Sequence, residues 1–206
     1  MCGIFGFVGK GSAQPGLLLE AGMSAANRGP HAWGVAWENG QRVERAVFPG
    51  RMEENKWKGL PVAGRWVLGA CRLATFGGWQ KQENNQPYVD GDVTLVFNGN
   101  VYGWEGLCQR WGYRGKGEND MQALVAGLFF HGGTSLAAGL AKTLSVAIPE
   151  AAYAVCVHRG NEVALMRRGH PVYMVEDGHG VYFSSRLFAG AKIVPENTPL
   201  VWRTDI

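Results

Sequence analysis

Met1-Cys2-Gly3-Ile4-Phe5-Gly6-Phe7-Val8 opens the chain and admits two readings. As structure, it is a small-and-apolar run suited to a buried first strand that carries an inert cysteine. As chemistry, it is a nucleophile behind a removable cap. An initiator methionine before a small residue is commonly trimmed. Trimming leaves Cys2 with a thiol and a free α-amine, whose pKa of about 7.7–8.0 lets it serve as the thiol's base through a bridging water. Which reading holds depends on whether later segments supply the rest of a site.

The remaining 198 or so residues bound the answer. A length of 206 residues is ample for a buried core, and 46% hydrophobic with 18% charged residues is ordinary for a globular protein. The net charge of +3 is spread along the chain. Lys56-Trp57-Lys58 and Arg167-Arg168 are too short for a nucleic-acid surface and read as solvated faces. No apolar stretch reaches the roughly 18–20 residues that span a membrane, and no basic leader with a cleavage pattern opens the chain. Cys2, Cys71, Cys108 and Cys156 lie far apart without CxxC spacing, and the five histidines form no HxxxH or HExxH pattern. The expectations are reduced thiols, a cytoplasmic location, no metal and no cofactor.

Working outward from the first strand, Pro15 to Ala26 has the spacing of an amphipathic helix with proline near its start, stopped by Asn27-Arg28-Gly29-Pro30. Trp33–Trp37, Asn39-Gly40 and Arg42–Phe48 read as a hairpin. Residues 49–64 read as polar and irregular. Strands follow at Trp66–Leu73 and Val93–Phe97, then helices at Trp104–Trp111, Asp120–Phe130 and Ser135–Leu144, with Asn119 or Asp120 as N-cap of the second. Strands return at Ala152–Val157, Glu162–Met166, Val172–Val175, Val181–Phe183 and Pro199–Arg203. Strands, then helices, then strands, with hairpins throughout, argue for antiparallel sheets covered by helices and against a βαβ dinucleotide fold. Gly6 to Ser12 lacks the GxxxxGK[ST] spacing of a phosphate loop.

Four segments occur in register: Cys2-Gly3-Ile4-Phe5-Gly6, Arg72-Leu73-Ala74-Thr75-Phe76-Gly77, Asn98-Gly99-Asn100-Val101 and Glu118-Asn119-Asp120. Together they resemble the class II, or N-terminal nucleophile, glutamine amidotransferase domain, from the first residue to about residue 190. Softer likenesses are Arg28-Gly29-Pro30-His31-Ala32-Trp33-Gly34, which is similar to the arginine-glycine segment after the first helix, and Asn85-Gln86-Pro87 ahead of the Asn-Gly strand. The Trp33–Trp37 stretch is most similar to small stand-alone members.

The resemblance implies a four-layer αββα sandwich of two antiparallel sheets between helix layers, with residues 1–206 as a single glutaminase domain. It implies that Cys2 attacks the glutamine side-chain amide, releases ammonia and leaves a γ-glutamyl thioester. It gives Asn98 (side-chain amide) and Gly99 (backbone N–H) the oxyanion; losing one such donor costs about 2.7–4 kcal/mol of barrier. Arg72 would pair with the α-carboxylate, Asp120 would accept from the α-ammonium, and Thr75 would belong to a loop that closes over substrate. Read alone, Asn98-Gly99 is a plain hairpin turn, Arg72 a strand-end arginine and Asp120 a helix cap. Ala70 and Phe97 stand where histidines are usual, and Arg186 stands where an acidic residue often follows serine. Asn98 and Arg72 must then be positioned by other groups.

The function expected from the resemblance is ammonia supply to a synthase or ligase on a separate polypeptide, since nothing in the chain resembles an acceptor-activating domain. One alternative is a stand-alone hydrolase of a larger γ-glutamyl metabolite or peptide. Another is a non-catalytic scaffold, which would have no need for Cys2, Arg72, Asn98, Gly99 and Asp120 together.

Overall fold

A computed structural model describes residues 1–133 and 135–205. Strand β1 (Gly3–Gly9) leads into helix α1 (Pro15–Ala26), the hairpin β2 (Ala32–Asn39) and β3 (Arg42–Pro49), and a short helix α2 (Glu54–Lys58). Next come β4 (Trp66–Arg72), a 3-10 turn over Gln82–Asn84, and β5 (Tyr88–Asp90) with β6 (Val93–Asn98). Helices α3 (Trp104–Arg110), α4 (Met121–His131) and α5 (Leu136–Ala147) precede β7 (Tyr153–Arg159), β8 (Glu162–Arg168), β9 (Tyr173–Glu176) and β10 (Gly180–Ser184). Two short strands, β11 (Lys192–Ile193) and β12 (Leu200–Arg203), finish the order.

The strands form a seven-stranded sheet, β11-β9-β10-β1-β4-β2-β3, and a five-stranded one, β12-β8-β7-β6-β5. Their pairings are antiparallel. Side-chain alternation builds the layers. On β1, Phe5 and Phe7 face α1 together with Leu18, Trp33, Val35 and Trp57, while Ile4 and Val8 face the opposite way. On β6, Leu95 and Phe97 face α3–α5, while Val96 meets Ile4, Leu68, Ala70 and Phe183 between the sheets. The result is the expected αββα sandwich. Fully buried side chains such as Trp33, Phe5 and Phe7 each contribute roughly 1.5–3 kcal/mol by leaving water.

Two local expectations are corrected. The stretch 49–64 contains α2, which docks through buried Trp57, and Met52 just ahead of it is buried too. A single turn is too short to show periodicity. Asp120 does stand at the N-cap position of α4, yet its side chain makes no cap bond. It turns away and accepts the Val101 N–H at 2.9 Å instead. Ser135 is a true cap, accepting the Ala138 N–H at 3.2 Å.

Candidate active site

Alternation also places the site. Gly3 pairs with Cys71, so Cys2 enters the sheet opposite the end of β4, where Arg72 stands. Cys2 continues the series Ile4 and Val8, Arg72 continues Leu68 and Ala70, and Asn98 continues Val96. All three therefore project toward the space between the sheets, at its open end. The N-terminus of α4 brings Asp120 to the same mouth. All four residues are buried.

The Cys2 thiol donates to the Leu73 carbonyl at 3.6 Å and receives the Gln86 side-chain amide at 3.7 Å. Burial pushes its pKa above the ordinary thiol value, opposed by the positive charges of the chain terminus and Arg72 and reinforced by Asp120. At rest Cys2 is a neutral thiol, so attack requires a base. Ser185 fixes the strand start from both sides: its hydroxyl accepts the Ile4 N–H at 2.9 Å, and its N–H donates to the Ile4 carbonyl at 2.8 Å.

Asn98 is 1% exposed, and neither its side-chain nitrogen nor its oxygen has a hydrogen-bond partner among the described residues. An unpaired buried amide costs about 1–3 kcal/mol per group, so such groups mark a place where a partner is meant to arrive. Next to it, a side chain on Gly99 would meet the Phe97 ring at 2.6 Å. Any larger residue would have to push the buried Phe97 ring aside.

Gln86 answers what replaces the missing histidines. Its amide oxygen accepts the Phe97 N–H at 2.6 Å and its Nε2 donates to the Phe97 carbonyl at 2.8 Å. The side chain acts as a substitute strand neighbour, locking the backbone immediately before Asn98 while touching the thiol. Ala70 fills a place in the packed inter-sheet cluster, and Arg72 is held from elsewhere.

The Arg72 Nη1 donates to Asn85 Oδ1 at 2.8 Å, and Nη2 donates to the carbonyls of Phe76 and Gly77. Either bidentate edge of a guanidinium uses an Nη2 hydrogen, so a carboxylate that engages Arg72 this way displaces a loop carbonyl. Burial lowers the Arg72 pKa, and the negative charges available to Cys2 and Asp120 oppose that shift. Asp120 is pushed up to about 6, chiefly by burial, against the pull of the Val101 N–H and Arg72. A cation beside it would restore its ionised form.

The loop after β4 lies over this group. Thr75 Oγ1 donates to Asn100 Oδ1 at 2.9 Å, and the Phe76 ring meets Tyr102 edge-on at 6.1 Å. His31 Nδ1 accepts the Ala74 N–H at 3.0 Å, and Asn85 Nδ2 donates to the Trp79 carbonyl at 2.6 Å. Gly77 has φ of +66°, and a Cβ there would strike the Glu118 carbonyl at 2.0 Å, so this close approach needs glycine. Cys2, Arg72, Asn98, Gly99 and Asp120 thus share one mouth, with Thr75 on the covering loop. Gln86, Asn85, Ser185 and His31 hold them; all four lie in segments with a softer likeness in the sequence, and what each side chain bonds was not readable there.

No family model matches the chain. A glutamine–fructose-6-phosphate aminotransferase (isomerizing) of Chlorobaculum tepidum is 30% identical over 177 residues, covering 79% of this chain and 28% of that protein. The chain thus spans little more than a quarter of this curated relative's length. Among solved structures, the glutamine phosphoribosylpyrophosphate amidotransferase of B. subtilis aligns with a TM-score of 0.72 at 19% identity, covering 100% of this chain and 50% of that one. A glutamine aminotransferase class-II domain protein of Silicibacter pomeroyi aligns with a TM-score of 0.60 at 13% identity, covering 100% of both chains.

Proposed function

Because the chain has the fold of the class II glutamine amidotransferases, we propose that it hydrolyses the side-chain amide of glutamine through a Cys2 thioester. With Met1 removed, the Cys2 α-amine takes the thiol proton through a water, and the thiolate attacks the amide carbon. The charge that develops on oxygen is received by the Asn98 amide and the Gly99 N–H. The amine returns its proton to the leaving nitrogen, ammonia departs, and water cleaves the γ-glutamyl thioester. Arg72 holds the α-carboxylate and Asp120 the α-ammonium. Thr75 and the loop to Gln80 shield the intermediate.

The observation that carries this reading is Asn98: a buried amide with no partner among the described residues, at the same mouth as the buried thiol. A scaffold would gain stability by replacing it with an apolar residue. The ammonia passes to a synthase or ligase, which we place on a separate chain. A neighbouring open reading frame for an ATP-using synthetase would support that placement, and an isolated gene would speak against it.

The test is Cys2→Ala. Ammonia release from glutamine should vanish while the thermal melt stays nearly unchanged. Retained activity would overturn the mechanism.

A further inference from the structure

A cleft of about 530 Å³ opens beside Met1, lined by Asn27, Arg28, His170, Pro171 and Arg186. That is within the size range of small-ligand pockets. None of Arg72, Thr75, Asn98 or Asp120 lines it, so it is a separate compartment from the one read as holding the glutamyl half. Its lining carries three basic side chains and no acidic one. Among the described residues no carboxylate pairs with Arg28, His170 or Arg186. Arg28 instead donates to the Ser185 carbonyl at 3.2 Å and to the Met1 sulfur at 3.4 Å. Burial and then the like charge of Arg186 lower the Arg28 pKa, and burial and then Arg28 do the same to His170. Positive charge has been gathered here without a counterion.

The chemistry of Cys2 says what the cleft faces. When the thiolate attacks a γ-glutamyl amide, the carbon–sulfur bond forms and the carbon–nitrogen bond breaks. The departing nitrogen takes the proton held by the Cys2 α-amine. That nitrogen must therefore lie within hydrogen-bond reach of the Cys2 α-nitrogen, directly or through one water. Met1 is bonded to this same α-nitrogen, so its side chain marks the space next to the leaving group. In glutamine the leaving nitrogen carries only hydrogen. Any larger substituent on it runs into the cleft that Met1 lines.

We infer that this cleft is a leaving-group subsite, and that the enzyme also cleaves γ-glutamyl amides whose amine portion carries a carboxylate, as in γ-glutamyl amino acids. The inference rests on Cys2 acting as the γ-glutamyl nucleophile. The carboxylate is received by the exposed Arg186 and by the half-buried His170 and Arg28. Arg28 is freed from the methionine sulfur once Met1 is removed. Water then cleaves the thioester, giving glutamate and the free amino acid.

The experiment compares kcat/KM of the full chain for γ-glutamylglycine, γ-glutamylglycinamide and glutamine, with Arg186→Gln and His170→Gln as variants. Arg186 is exposed, so its replacement leaves the core intact. The free acid should be preferred over the amide by about tenfold or more, the scale of one charge-assisted hydrogen bond. Each variant should shrink that preference. Equal rates on acid and amide would overturn the subsite, as would a preference that survives both variants. Glutamine hydrolysis without cleavage of either dipeptide would overturn the subsite alone. Failure on all three substrates would overturn the Cys2 reading, and the subsite with it.

Discussion

Replacing Asp120 with asparagine keeps the shape of the side chain and removes its charge. In the native fold this carboxyl is 7% exposed, and burial raises its pKa from 3.8 to about 6. The folded state therefore binds the proton more tightly than the unfolded chain does. Stability from this group is fully present below pH 3.8 and is lost as pH rises through about 6. A gap of about 2 pKa units, at about 1.4 kcal/mol each, amounts to about 3 kcal/mol at neutral pH. Asparagine carries no such penalty, and its oxygen still accepts the Val101 N–H. Asp120→Asn should therefore raise Tm by about 6–12 °C at pH 7.5, at about 2–4 °C per kcal/mol for a chain of this size. The gain should fade as pH falls toward 4. Glutamine turnover should move the other way. Losing the partner of the substrate ammonium costs about 3 kcal/mol, roughly a hundredfold in kcat/KM. The assays are calorimetry from pH 4 to 8 and ammonia release at the same pH values. A variant no more stable than the parent at pH 7.5, or one with full kcat/KM, would refute the reasoning.

Three further outcomes follow from the same geometry. Below about pH 7.7 the kcat/KM of the native enzyme for glutamine should fall about tenfold per unit as the Cys2 α-amine takes up its proton, and below about 6 the fall should steepen to about a hundredfold per unit as Asp120 is protonated too; a profile that does not steepen between pH 6 and 4.5 would contradict the role assigned to Asp120. Asn98→Ala should lower kcat by about 10²–10³ while leaving Tm unchanged or higher, because it deletes two buried atoms that have no partner among the described residues. Gln86→Leu should cost about 2–4 kcal/mol in chemical denaturation, since it strands the Phe97 N–H and carbonyl, and kcat should fall with it; full stability would show that the Gln86–Phe97 pair does not position Asn98.

Much of the architecture was legible because it is local. The Asn39-Gly40 turn, the Pro15 start of α1 and the alternation of Ile4, Phe5, Phe7 and Val8 each carry their structure in a few adjacent residues. What joins β1 to β10, or sets β4 between β1 and β2, is pairing between residues far apart, which no local pattern encodes. The site divides along the same line. Cys2, Arg72, Asn98 and Asp120 sit at strand or helix ends within the four segments that carry the family likeness, so the motifs singled them out and the fold places them at one mouth. Gln86 lay in a segment of softer likeness, but its role was not readable there, because it depends on the side chain taking the place of a strand beside Phe97. Asp120 misled in detail for the opposite reason: its local sequence fits a cap, and a backbone N–H on another segment claimed it instead. The basic cleft was illegible too, since Arg28, His170 and Arg186 come from three distant turns of the chain.

The central claim is that Cys2, freed of Met1, is the nucleophile of a glutamine site. A diazoketone analogue of glutamine followed by intact-mass and peptide mapping tests it most directly. The account predicts a chain lacking Met1, modified once, at Cys2, with loss of ammonia release in proportion to labelling. Labelling at Cys71, or full activity in a chain that retains Met1, would contradict it.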